Sequence, residues 1–255
     1  MKLSNFRMGP PWVGLANYER VLADAAFWRS IGFSLEFATV TTLVEVGIGL
    51  AIALFFWSQF RSSRAIVSLM LLPMMTAPSL LAIMFRLMLN DFVGIVPVTL
   101  QMFGLPQVSM LGPDWVWRTL VAIDAVQWTP FVFLLIYTGL QGLPEEIIEA
   151  ASVDGASTGQ TILRVIVPQL SPTLAATAFL RFIDTFRIFD SIYVLTGGGP
   201  GDLTTSASIY IYKQAFGNGD LGVGIAAAVI LLTIIMAPVG LGTGRLFRAG
   251  GGERG

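Results

Sequence analysis

The chain has 255 residues, of which 55% are hydrophobic and only 12% are charged, with a mean hydropathy of +0.75. A soluble domain carries roughly 25% charged residues, so much of this surface must face something other than water. The net charge of −1 leaves no electrostatic footprint for nucleic acid, and the absence of Cys and His excludes disulfides, thiol nucleophiles, Cys/His metal sites and imidazole catalysis.

Five apolar stretches follow one another along the chain. They run from about Ile31 to Trp57 (segment A), Ala65 to Leu89 (B), Val116 to Leu140 (C), Leu170 to Leu195 (D) and Leu221 to Leu241 (E). Each approaches or exceeds the ~20 residues that a helix needs to cross the hydrocarbon of a bilayer. The expected fold is therefore all-α: a polytopic membrane helix bundle with about five transmembrane helices. Pro73 and Pro78 in B, Pro130 in C and Pro238 in E are compatible with it, because neighbouring helices can satisfy the freed carbonyls.

Basic residues orient the bundle. Arg61 and Arg64 lie between A and B, and Arg245, Arg248 and Arg254 follow E, whereas the D–E connection holds only Lys213. The positive-inside rule then puts the A–B turn, the C–D connection and the tail in the cytoplasm. The division expected is an extracytoplasmic segment at 1–30, a membrane domain at 31–243 and a cytoplasmic tail at 244–255. Lys2, Arg7, Arg20 and Arg29 run against this rule, and no apolar run precedes them. The simplest reading is a missing first helix; the alternative is that five helices are the natural form.

Between C and D the sequence is LPEEIIEAASVDGASTGQTILRVIVPQLSP. Pro144 opens a short helix whose first turn holds Glu145 and Glu146, where the helix dipole favours acids. Ala150 and Ala151 supply a small-residue face, and Gly155 ends the helix. Glu149-Ala150-Ala151, three residues, Gly155, nine residues, then Val165-Ile166-Val167-Pro168 resembles the signature of permease subunits of bacterial ABC importers. There the pattern ends in Ile-x-Leu-Pro, so Val165 and Val167 are conservative departures. The likeness extends to Gln127-Trp128-Thr129-Pro130-Phe131, to the stretch from Asp184 to Asp190, to Thr196-Gly197-Gly198-Gly199-Pro200-Gly201, and to Trp12-Val13-Gly14-Leu15-Ala16-Asn17-Tyr18. These flanks look like the carbohydrate-uptake branch, of maltose, glycerol-phosphate and multiple-sugar type, and its subunit with the Gly-Gly-Gly-Pro loop.

The resemblance implies a coupling helix at 143–156, with Glu145, Glu146, Glu149, Ala150, Ala151, Asp154 and Gly155 set against an ATPase subunit. It also implies a second homologous permease, two ATPase subunits and an extracytoplasmic sugar-binding protein as partners, in a bacterial inner membrane. The chain itself would be non-catalytic and would bind no cofactor, with ATP and Mg at the ATPase subunits.

Gly197 to Gly201 lacks the Lys-Ser or Lys-Thr of a phosphate loop and reads as a flexible outer loop; Gly240, Gly242 and Gly244 read as packing or helix-ending glycines. Polar residues inside the spans are the better functional clue, since lipid makes them costly. On C, Asp124, Gln127, Trp128 and Phe131 share one helix face; on D, so do Arg181, Asp184, Thr185 and Ile188. Hydrogen-bonding groups beside an aromatic face suit a sugar, and the resemblance puts substrate contacts on these two helices. The structural alternative is that Arg181–Asp184 and Arg187–Asp190 are ion pairs between helices. Arg187 and Asp190 fall on another face of D and are expected to be structural. Glu36, Glu45 and Arg86 are assigned to packing, termini or partner contacts. The rival function is an ion-coupled secondary transporter using Asp124, Asp184 and Asp190.

Overall fold

The computed structural model describes residues 13–59, 68, 70–106 and 108–250. Trp12, Arg61, Arg64 and Arg254, on which parts of the orientation and resemblance rest, lie outside them. The described residues are helical and loop, with no extended sheet among them.

Helix α1 (Ala16–Ala23) leads into α2 (Ala25–Gln59), which begins six residues before the apolar run of segment A. Asp24 causes the early start. Its carboxylate accepts the Ala26 N–H at 2.8 Å, as a cap does, and receives the Tyr210 hydroxyl at 2.7 Å. The 1–30 stretch is thus largely helical from Ala16 onward. At 35 residues, α2 is about 52 Å long and outreaches the hydrocarbon.

Segment B is not one helix from Ala65 to Leu89. Pro73 opens a single 3₁₀ turn (Pro73–Met75), Thr76 is extended, and α3 (Pro78–Met88) starts at Pro78. A proline disfavours helical backbone at the residue before it, and Ala77 is accordingly extended. After α4 (Ile95–Met102), α5 (Val116–Gln141) matches segment C and runs unbroken through Pro130. The short α6 (Glu145–Val153) follows, then α7 (Thr158–Gln169), capped by Ser157 and Gln160 and widened by a π-type turn at Ile162–Ile166.

Segment D departs most from expectation. Helix α8 (Ser171–Phe186) meets α7 at a 64° bend beside Pro168 and Pro172, and it stops at Phe186. The chain restarts as α9 (Asp190–Thr196). No Gly or Pro lies in this break. Its freed carbonyls are instead taken by two serines at the start of α10 (Ala207–Tyr212): Ser208 Oγ donates to Arg187 O, and Ser206 Oγ to Ile188 O, both at 2.8 Å. Helix α11 (Leu221–Gly250) covers segment E and continues past Gly240, Gly242 and Gly244, so those glycines do not end it.

By length and composition α2 and α5 can each cross a membrane; α7 with α8 makes a bent third, and α3 and the first half of α11 are shorter apolar helices. All five expected segments therefore carry an apolar helix, with B and D broken. Helices α2 and α5 pack side by side around two apolar clusters. One joins Phe37, Leu120 and Ile192; the other joins Ala53, Phe133, Ile136 and Ile166. Between them lies a polar layer.

Close approach of α2 to α5 depends on Gly49. A Cβ there would sit 2.7 Å from Val132 Cγ1 and 3.2 Å from the Phe133 nitrogen. Valine is stiff at χ1 and cannot swing away. Gly49→Ala should lower the thermal stability of the solubilised chain by about 1–3 kcal/mol, and Val132→Ala in the same chain should restore much of it. Unchanged melting in the single variant would show that the two helices separate freely.

The Gly-Gly-Gly-Pro loop is held rather than loose. Gly197, Gly198 and Gly201 have positive φ of 64°, 94° and 58°. Thr204 Oγ1 donates to Gly199 O at 2.7 Å and Thr205 Oγ1 to Gly198 O at 3.0 Å. The flexible outer loop expected from its glycines is thus a tied turn, because the next threonines bond its carbonyls.

Candidate functional site

Arg181 is the centre of the polar layer and is 1% exposed. Its Nε donates to Glu45 Oε2 at 2.7 Å and its Nη2 to Glu45 Oε1 at 2.8 Å, a bidentate pair that joins α8 to α2. Nη2 also donates to Asp124 Oδ2 on α5 at 3.0 Å, and Nη1 to Asp184 Oδ2 one turn along at 2.8 Å. The guanidinium lies 4.9 Å from the ring centroid of Trp128. One arginine therefore ties three helices, with three carboxylates around it and an aromatic ring on its face.

Beside this cluster is a half-open cavity of about 290 Å³. Asp124 and Trp128 line it from α5, and Arg181, Asp184 and Thr185 from α8; Ile188 and Phe189 in the break complete that side. Thr185 Oγ1 is buried without a hydrogen-bond partner among the described residues. Two residues of the expected α5 stripe do not line it. Gln127 is fully buried, and its Nε2 donates to Thr76 O at 3.1 Å, filling the gap left by the break before Pro78. Phe131 packs edge-on against Trp128, with centroids 6.4 Å apart.

Two placements differ from the expectation. Arg187 and Asp190, expected on another face of D, both line the cavity. A continuous helix would carry them away; the break at 187–189 swings them in. Arg187 also pairs with Asp184, at 3.2 Å, rather than with Asp190. Glu45, expected to serve packing, termini or partner contacts, is instead the bidentate partner of Arg181. A lone carboxylate within the apolar A segment is itself a signal, because an ion buried in lipid needs a partner. Arg181 supplies it from 136 positions away. Arg86 donates to Val194 O at 3.0 Å and joins α3 to α9.

The second expected site is at α6. Glu145, Glu146, Glu149, Ala150, Asp154 and Gly155 are exposed, and Ala151 is half-buried. Ala156 N–H donates to Ala151 O at 3.0 Å across Gly155, whose φ is +76°, a left-handed helix stop. Val153 is 85% exposed and Leu163 70%, so apolar side chains stand out beside the acids.

The family described as "Binding-protein-dependent transport system inner membrane component" matches residues 45–249. The chain belongs to that family. Among similar proteins, the trehalose/maltose transport system permease protein MalF of Thermococcus litoralis is 35% identical over 228 residues, covering 89% of this chain and 77% of the relative. The sn-glycerol-3-phosphate transport system permease protein UgpA of Agrobacterium fabrum is 30% identical, covering 93% of this chain and 81% of the relative. The trehalose transport system permease protein SugA of Mycobacterium tuberculosis H37Rv is also 30% identical, over 86% of this chain and 70% of its own. A crystal structure of a bacterial ABC transporter involved in import of the acidic polysaccharide alginate has the same fold, with a TM-score of 0.83, 21% identity and 96% of this chain covered. The chain is thus a non-catalytic inner-membrane component of a binding-protein-dependent transporter. The ion-coupled alternative gains nothing from these matches.

Proposed function

We propose that this transport component is the membrane-spanning subunit of an ATP-driven importer for a sugar or related polyol, working by alternating access. The observation that carries the proposal is the cavity of Asp124, Trp128, Asp184 and Thr185 between α5 and α8, in a chain whose named relatives carry trehalose, maltose and glycerol phosphate. Carboxylate and hydroxyl oxygens can accept hydrogen bonds from sugar hydroxyls, and an indole face suits sugar C–H groups.

Helix α6 supports the same reading. An exposed short helix with acids and Val153 on its surface is suited to a cleft in an ATPase subunit. ATP and Mg bind and react there, not on this chain. Closure of two such ATPases moves α6, and this chain with its companion permease rocks as rigid bodies to face outward. A binding protein delivers the sugar, and hydrolysis resets the assembly. The charge distribution supports putting α6 on the cytoplasmic side.

The test is uptake by the whole importer in proteoliposomes containing ATP, with maltose, trehalose and sn-glycerol 3-phosphate as probes. Trp128→Ala should lower uptake of the transported probe about tenfold, the equivalent of about 1.4 kcal/mol of lost contact. Trp128→Tyr, which keeps a ring over Arg181, should retain most of it. Full uptake in a folded Trp128→Ala chain would remove this cavity from the path.

A further inference from the structure

We infer that the cavity is a charge filter that admits uncharged polyols and turns away phosphates and carboxylates. The inference rests on the proposed role of this cavity in the substrate path.

Recognition of an oxyanion requires a guanidinium or ammonium with free donors. Among the described residues, the cavity wall contains two cations, Arg181 and Arg187. Arg181 is committed: four donor contacts reach three carboxylates, and Trp128 covers its face. Arg187 is 64% exposed on its side chain and already donates to Asp184 Oδ1 at 3.2 Å. Asp184 thereby bridges both cations, using one oxygen for each.

Facing these two guanidiniums are three carboxylates on the wall, Asp124, Asp184 and Asp190, with Glu45 directly behind Arg181. Carboxylates thus outnumber guanidiniums on this wall, and low-dielectric surroundings focus that excess on whatever enters. An anion would find free donors only on Arg187, which is already paired with Asp184 and stands among three carboxylates. A neutral polyol meets acceptors instead, the accessible carboxylate oxygens of Asp184 and Asp190, while Asp124 and the Thr185 hydroxyl are buried at the wall.

The chain lacks cysteine, so Ile188→Cys puts its single thiol on the cavity wall. The assay uses the whole importer in membranes, with companion-subunit thiols replaced. Its readout is the rate of modification by trimethylammonioethyl and sulfonatoethyl methanethiosulfonates, each divided by its rate with a small free thiol. The cationic reagent should be favoured by about tenfold or more, and adding Asp190→Asn should reduce that preference several-fold. Equal rates, or a faster anionic reagent, would overturn the inference. If the thiol reacts with neither reagent, uptake decides. The importer should take up a neutral disaccharide at least about tenfold faster than its uronic-acid counterpart, and equal uptake overturns the filter. The two proposals fail separately. Equal reactivity with impaired Trp128→Ala uptake removes only the charge filter. Cation preference with normal Trp128→Ala uptake removes this cavity from the path.

Discussion

Arg181→Ala should leave little folded chain in the membrane. The substitution strands Glu45, fully buried, and Asp124, 2% exposed, with no cation between them. Breaking one side of a buried ionic cluster costs about 3–5 kcal/mol, a large share of the 5–15 kcal/mol that typically holds a protein folded. Asp184→Ala should behave differently. Asp184 is 43% exposed, and Arg181 would keep both Glu45 and Asp124. That variant should insert and melt nearly normally while transporting poorly. A triple variant, Arg181→Met with Glu45→Leu and Asp124→Leu, removes all the buried charge at once and should recover insertion without recovering uptake, since apolar replacements of similar volume are often neutral. The measurements are the amount of membrane-inserted chain, its melting in detergent and uptake by the assembly. An Arg181→Ala chain as abundant and as stable as the unaltered one would show that the cluster does not hold α2, α5 and α8 together.

Gly155→Trp should nearly abolish uptake while leaving the chain inserted. Two effects must be separated. Gly155 has φ +76°, so any side chain there strains the backbone, by roughly 1–2 kcal/mol for most residues and less for Asn. Space is not the obstacle within this chain, because a Cβ at Gly155 meets nothing within 4 Å. In the proposed assembly, a docked ATPase would occupy that open space. Gly155→Asn should therefore retain much of the uptake, whereas Gly155→Trp should block docking and lose substrate-stimulated ATP hydrolysis. Glu149→Lys, which reverses a charge on the exposed face, should weaken co-purification of the ATPase subunits. Uptake and stimulated hydrolysis at normal levels in Gly155→Trp would remove α6 from the ATPase interface.

Much of this protein is legible without coordinates, and the reasons are local. Low charge with high hydropathy requires lipid around the chain. Five apolar runs locate its helices, since hydrophobic length is a property of consecutive residues. The spacing from Glu149 to Pro168 points to the transporter family. Helical periodicity brings Asp124 with Trp128, and Arg181 with Asp184 and Thr185, onto single faces, and both sets do line one cavity. Only the tertiary structure decides the rest. Glu45 meets Arg181 across 136 positions, a pairing that no short window contains. Gln127 turns to the Thr76 carbonyl because the break before Pro78 leaves that acceptor open. The break at 187–189 lacks a local breaker, and serines of α10 capture its carbonyls. That capture ends α8 at Phe186 and brings Arg187 and Asp190 to the cavity wall, where a continuous helix would have turned them away. Periodicity describes a helix as long as it lasts; where it stops depends on what the neighbouring helices offer its backbone.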